Sequence, residues 1–372
     1  GIGCSDHVDS RNIALHLHKQ VVCRCAAVDL QVSDGDAGIL LHGLADIIGL
    51  DDMLLSVEGS FLAKHEDVGY FTSFSPYNLG WSARANFDYN GYYVRGEYVD
   101  AGKQKVGFMA DPVRGNAQLI EFGYNGNGLG LSVTGRRLER MLRKIYSYSS
   151  SEPGFGDATN LMAYAPAMCT QYTYMLTTIN PYSSQTGDIK LGFENSGEIG
   201  GQLDVVYNFR GGTALGGKRG MKVHANFSTY YTIAQEGTFK PGNLLFRDMS
   251  VDVEKQWSKK FKSTLLWSMQ TWSPKAGANK TLYVSNIFVA DLLYKFTETL
   301  STRLELQYLV TFEDQKDWMA ALLEVNFAPH WSVFASDMWN HGSTKLHYYN
   351  AGVSYTISHL RVAAGYGRYR AG

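Results

Sequence analysis

An all-β fold, an antiparallel transmembrane β-barrel with about sixteen strands visible, is what this sequence predicts, and three observations carry the prediction. From residue 53 onward apolar and polar residues alternate with a period of two. Turns of two to four residues recur between an apolar strand end and an apolar restart, while the other strand ends meet longer and more varied segments. Aromatic residues bracket the strands at separations of 8 to 11 residues. Composition agrees: 24 Tyr, 18 Phe, 7 Trp and 39 Gly against 8 Pro favour strands and turns over helix or Pro-rich disorder.

Taken in order, residues 1–36 form an atypical leader, either disordered or wrongly assigned. "ALHLHKQVVCRCAAVDL" there has Cys and His but neither girdle aromatics nor hairpin turns. Gly1 opens no recognisable signal peptide. Residues 37–372 form the barrel, with strands expected at 53–63, 79–89, 92–99, 117–124, 129–135, 171–179, 202–209 and 221–231. They continue at 248–256, 261–271, 283–296, 300–312, 318–327, 331–339, 348–356 and 360–366. In "TLSTRLELQYLVTF" (299–312), Arg303, Glu305 and Gln307 share one face while Leu304, Leu306 and Tyr308 share the other. "EVNFAPHWSVFAS" (324–336) shows two such runs meeting at Ala328-Pro329-His330, and "QWSKKFKS", "KFTETLST" and "YTISHLRV" repeat the pattern. "TWSPKAGANKTLY", "FEDQKDW" and "WNHGSTKLHYY" supply the longer connections of the opposite rim.

Residues 136–169 are a long loop segment, basic and then polar, with a short helix expected at 158–164 and a further weak run at 188–194. With all short turns on one rim, an odd number of crossings is expected between Gly135 and Gln202; the strand at 171–179 supplies one but puts the long basic segment on the short-turn side, which leaves the topology of 136–199 open.

Several function classes are excluded or disfavoured. Lys plus Arg is 34 against 35 for Asp plus Glu, a net charge of −1, which gives no strong field for nucleic acid. Cys4, Cys23, Cys25 and Cys169 are too few and too unevenly placed for a disulfide framework. No apolar run reaches the roughly 18 residues of a membrane helix. "GTALGGKR" (212–219) has P-loop spacing, but Arg219 stands where magnesium binding needs Ser or Thr, and the segment joins two strands, so it reads as a glycine turn. Cys23, Cys25, His16 and His18 are a weak zinc pattern, since structural sites use CxxC knuckles. Asp337, His341 and Ser343 supply triad residue types without a nucleophile elbow and read as a polar rim. No enzymatic activity, catalytic residue, metal or cofactor is expected.

The polar faces of the strands carry Glu58, Lys222, His224, Asp252, Glu254, Lys262, Asp291, Lys295, Arg303, Glu305, Glu324 and Arg361, which a membrane fold would turn into a wet or mutually paired lumen. Asp337 breaks the alternation by sharing parity with Trp331, Val333 and Trp339, which a bulge or a place at the membrane interface would accommodate. Phe246 with Trp257, Phe261 with Trp272, Trp318 with Phe327, and Trp331 with Trp339 are the expected membrane-interface aromatics. At about 3.3 Å per residue and a tilt near 40°, their separations span roughly 20 to 28 Å, the height of an apolar band.

The stretches "GEIGGQLDVVYNFRGGTALGGKRGMKVHANFSTYY" (197–231), "LFRDMSVDVEKQWSKKFKSTLLW" (245–267), "LLEVNFAPHWSVFASDMWNHG" (322–342), "NLMAYAPAMCTQYTYML" (160–176) and the closing "GYGRYRAG" resemble an uncharacterised outer-membrane β-barrel family of Bacteroidota, over residues 53–372. That family has no established activity, so the resemblance implies fold and location. It also implies a longer chain, because family members continue past "GRYRAG" to a final aromatic-ended strand.

The function expected is a porin-like or transport channel for small solutes in a bacterial outer membrane. The alternative is a structural or binding component of an outer-membrane assembly; a soluble β-rich binding protein is the third reading. Expected partners are outer-membrane lipid and small solutes or another envelope protein, with no nucleic acid. Leu304→Arg is expected to cost about 2 to 4 kcal/mol at the lipid face and Glu305→Arg much less. Deleting residues 1–36 should leave folding unchanged, and deleting residues 138–166 should raise conductance.

Overall fold

The computed structural model describes residues 17–24, 27–42, 53–65, 77–104, 113–140, 174–179, 197–275 and 277–370. Side chains are described from Met53 onward, apart from residues 62–65, 77–79, 104 and 113. Two strands come first, β1 (Leu17–Arg24) and β2 (Ala27–His42). Then follow β3 (Leu54–His65), β4 (Tyr77–Tyr89), β5 (Tyr92–Gln104), β6 (Val113–Gly126), β7 (Leu129–Glu139), β8 (Gly197–Phe209) and β9 (Met221–Ile233). The remainder are β10 (Pro241–Gln256), β11 (Phe261–Trp272), β12 (Tyr283–Lys295), β13 (Leu300–Thr311), β14 (Trp318–Phe327), β15 (Trp331–Asn340), β16 (His347–Ile357) and β17 (Leu360–Gly367). Among the described residues there is no helix.

The fold is all-β, and from β2 to β17 each strand pairs antiparallel with the next. No residue register joins β17 to β1, β2 or β3 among the described residues, so the meander is not closed.

Fifteen of the sixteen expected strands are present as β3 to β17. The sixteenth, at 171–179, is corrected: Met175–Thr178 are turn, and Thr177 donates its amide to the Tyr174 carbonyl at 3.2 Å. Its alternation of Tyr, Met, Leu and Thr imitates a strand, yet no neighbouring strand is left without a partner for it. β7 pairs directly and antiparallel with β8, Arg136 opposite Gly200, so the number of crossings between them is even. The expected odd number is therefore also corrected. Residues 210–220 join β8 to β9 on the short-turn rim, which places the long segment after β7 on the opposite rim. β1 and β2 run through part of residues 1–36, and Leu17 and His18 pair with Phe61 and Ser60 of β3. The helix expected at 158–164, the run at 188–194, His16, Cys4, Cys25 and Cys169 lie outside the described residues.

Local chemistry sets the tight hairpins. Asn90-Gly91 and Asn127-Gly128 both occupy positive φ (47° and 81°, 52° and 83°), the pair of left-handed positions a type I′ turn needs between twisted strands. The Ala328-Pro329 peptide is cis within the β14–β15 turn.

The pleat gives the sheet two unlike faces. One carries large apolar side chains exposed on every strand from β3 to β17: Val57, Trp81, Val94, Ile120, Val133, Leu203, Phe227 and Val251, then Leu265, Phe288, Leu306, Leu323, Val333, Val353 and Val362. Full burial of such a side chain is worth about 1.5 to 3 kcal/mol and each has roughly half of that still to gain, while soluble monomers keep such patches to a few hundred Å². The other face is mainly polar, and many of its charges are paired.

On the long-loop rim, residues 234–240 fold back against β7. Arg137 donates through Nε to the Thr238 carbonyl at 2.8 Å, the Gly237 amide donates to Glu139 at 3.0 Å, and Arg140 pairs with Glu236. The hydrogen bond and charge of Arg140 hold the Glu236 carboxyl below its ordinary range. A depressed folded pKa contributes stability above the unfolded value, about 4.3, and loses it as pH falls through the lower folded value. Exchange of the Gly237 amide, corrected for intrinsic rate, should therefore speed up below that pH in the native chain. In Glu236→Gln the same step should be absent.

Candidate functional site: the ion-paired face and its seated turn

All twelve residues expected at a lumen stand on this second face, because the registers place them in line across the strands. Asp252 lies opposite His224, Glu254 opposite Lys222, Asp291 opposite Glu305, and Arg303 opposite Glu324. Glu58 faces Arg84 in the β3–β4 pair, Lys262 faces Gln256, Lys295 faces Ser301, and Arg361 faces Thr356.

Side chains join them into short chains of alternating charge. Arg84 reaches Glu97 at 3.1 Å and Glu58 at 3.5 Å. His224 sits between two carboxylates, Nε2 to Asp204 at 2.8 Å and Nδ1 to Asp252 at 2.6 Å, with the Asn226 amide on Asp204 at 3.0 Å. Lys262 meets Glu254 at 2.9 Å. Arg303 donates to both oxygens of Asp291, at 3.0 and 2.9 Å, and to Glu305 at 2.7 Å, while Gln307 donates to Glu305 from behind. Arg136 and Glu198 form a fully buried pair, with the guanidinium 5.2 Å from the Tyr230 ring. Arg84, Glu97, Asp204 and Arg136 were not singled out from the sequence, although the parity that selected Glu58 selects Arg84 too.

Removing Arg303 would leave Asp291 and Glu305 repelling each other. Arg303→Ala should cost about 2 kcal/mol, the scale of hydrogen bonds to charged groups at a half-buried site, read as a lowered midpoint of urea unfolding in lipid. An unchanged midpoint would show that solvent already screens the cluster. Glu305→Arg, expected from the sequence to be mild, is corrected, since Glu305 is 4% exposed and would become a second cation against Arg303.

Across β11 to β14 this same face changes character. Leu266, Ile287, Val289, Leu309, Trp318 and Ala320 form an apolar patch, and Leu176 is fully buried in it. Hydrogen bonds fix the turn around that anchor. The Leu176 amide donates to Gln307 Oε1 at 2.8 Å, Gln270 Nε2 donates to the Thr177 carbonyl at 3.1 Å, and Arg370 donates to the Ile179 carbonyl at 3.1 Å. Tyr174 donates its hydroxyl to Asp291 at 3.4 Å, which links the turn to the Arg303 cluster. The sequence reading missed this seat because period-two parity distinguishes faces but not which apolar residues on the polar face wait for a partner far along the chain.

The expected interface aromatics divide accordingly. Phe261, Phe327, Trp331 and Trp339 belong to the apolar face, and Trp257, in the β10–β11 turn, bonds Ser263 of that face. Phe246, Trp272 and Trp318 are corrected to the polar face: Phe246 pairs with Trp272, and Trp318 is 2% exposed and stacks on Tyr348. Spacing along a strand fixes height, whereas the parity of the residue fixes its face.

Asp337 stays on the apolar face in an unbroken register and bonds His347 at 2.7 Å, below the stacked Trp339 ring. His341 instead stacks on Tyr308 and Ser343 gives its amide to Asn340, so no triad forms. Residues 212–219 are a hairpin loop whose Leu215 and Gly216 carbonyls hold Lys255, with no helix following.

A family model described as a family of unknown function (DUF6029) matches residues 27–372, beginning inside the atypical leader and well before residue 53. A porin mutant from Rh. blastica is similar at 13% identity over 85% of this chain and 94% of that one, with a TM-score of 0.35. No curated protein matches the chain.

Proposed function

The chain belongs to this family of unknown function, which hands it no activity, and we propose from its construction that it is an outer-membrane β-barrel channel for small solutes, porin-like or transporting. One observation carries the reading. An exposed apolar face runs across fifteen consecutive strands, backed by a polar face on which eight of the twelve expected charges stand in ion pairs, as lipid on one side and an aqueous lumen on the other would require. Strands of 8 to 16 residues suit a tilted bilayer crossing. The Bacteroidota envelope implied by the sequence resemblance fits this setting, and outer-membrane lipid is the principal partner.

Charge on the lumen face is balanced locally, cation beside carboxylate, so the channel selects weakly by sign. The turn at Tyr174–Ile179 partly obstructs it. Nothing in the ion-paired clusters assembles a nucleophile with a base, and the role proposed involves no turnover and no nucleic acid. Planar-bilayer recording on the refolded chain tests this: small, weakly selective conductance steps are expected. A silent membrane containing inserted protein would reject the pore and leave the role of a binding or structural component of an envelope assembly.

A further inference from the structure

Beside the seated turn the polar face holds an open cleft of ≈ 530 Å³, lined by Met175 and Ile179 of the turn, Met338 of β15, Tyr348 of β16, and Arg368 and Arg370 beyond β17. Its volume lies within the roughly 300 to 1,000 Å³ of small-molecule sites. Three features describe what would fit. The walls are mainly apolar and aromatic. Among the described residues the charged groups lining the cavity are both guanidiniums, and no carboxylate lines it. Arg368 lies 5.5 Å over the Tyr348 ring and Arg370 5.4 Å over Trp318, so both are held in place by aromatic faces. Each has five N–H donors, and Arg370 spends one on Ile179. Finally, Asn350, also in the wall, has a buried Oδ1 with no hydrogen-bond partner among the described residues, a cost that a ligand donor would remove.

We propose that this cavity binds a small organic anion: a carboxylate on an aromatic or aliphatic body, its charge on Arg368 and Arg370 and a donor group toward Asn350. Arginine forks match carboxylates in two-point geometry, and placing them in a mainly apolar cleft strengthens the pairing. The inference deepens the proposed transport role by naming a solute class. It is tested by equilibrium binding, so a silent channel does not decide it.

Calorimetric titration of the full chain in phospholipid nanodiscs, with empty nanodiscs subtracted, would use 4-hydroxybenzoate, its uncharged methyl ester and octanoate. Saturable binding of 4-hydroxybenzoate is expected, with the ester and the Arg368→Gln variant each at least about tenfold weaker. Octanoate binding alongside it means an acid of either body, and its failure narrows the class to aromatic acids. Met338→Trp should abolish binding by filling the cavity, and Ser336→Phe should do so from the same wall, so loss of one variant to misfolding leaves the other. The proposal is overturned if neither acid binds at millimolar concentration, if the ester matches the acid, or if a folded cavity-filling variant binds as the native chain does.

Discussion

Leu304→Arg should destabilise the protein in lipid by about 2 to 4 kcal/mol, the cost of a cation at the midplane of a barrel's lipid face. Leu304 lies midway along β13, opposite Leu292 on one side and Leu323 on the other, and all three belong to the exposed apolar face. Asp337, two strands away on that face, is already bonded to His347, so the guanidinium must stretch toward the headgroups or drag water inward. Asn326→Lys supplies the comparison. Asn326 is on the paired face and donates to Glu324 at 2.8 Å, so a lysine there remains near a carboxylate and should change stability by less than about 1 kcal/mol. Urea unfolding in vesicles reads both. Equal losses would mean that the two faces meet the same medium.

Leu176→Asp should expel the turn at Tyr174–Ile179 from its seat. The native leucine is fully enclosed by six apolar side chains from β11 to β14, and truncation to alanine alone should cost the docked turn about 2 to 5 kcal/mol. A carboxylate costs more, because five of those six side chains have no polar group and the Trp318 indole N–H is the single donor among them. Four hydrogen bonds, through Asp291, Gln307, Gln270 and Arg370, would go with the turn. Single-channel conductance should rise in Leu176→Asp while the strand content stays as it was. If conductance does not change, residues 174–179 do not obstruct the path.

Much of this was legible before any coordinates, for a simple reason. Alternation such as Arg303, Leu304, Glu305, Leu306 fixes a strand and both its faces at once, and Asn-Gly pairs mark hairpins by their backbone requirement. That is why all twelve lumen candidates fall on one face. What alternation does not encode is contact between distant segments. Leu176 is an ordinary leucine in a run that reads as a strand, and its role follows from a patch assembled out of β11 to β14. Trp318 was misread for the same reason: an aromatic at a strand end suits a girdle, but its partners are Leu176 and Tyr348, on the polar side. The clamp of residues 234–240 on β7 likewise joins β7 side chains to backbone groups about a hundred residues away.

The central claim, that one face meets lipid and the other water, is tested most directly by a nitroxide scan along β14 and β15 in vesicles, in a chain whose four native cysteines are serine. Labels at Leu323, Val325, Val333 and Ala335 should be relaxed by oxygen, which concentrates in lipid. Those at Leu322, Glu324, Phe334 and Ser336 should be relaxed by a water-soluble nickel chelate, giving an alternation of period two in opposite phase for the two reagents. Nickel accessibility without alternation, equal on neighbouring residues, would contradict the claim.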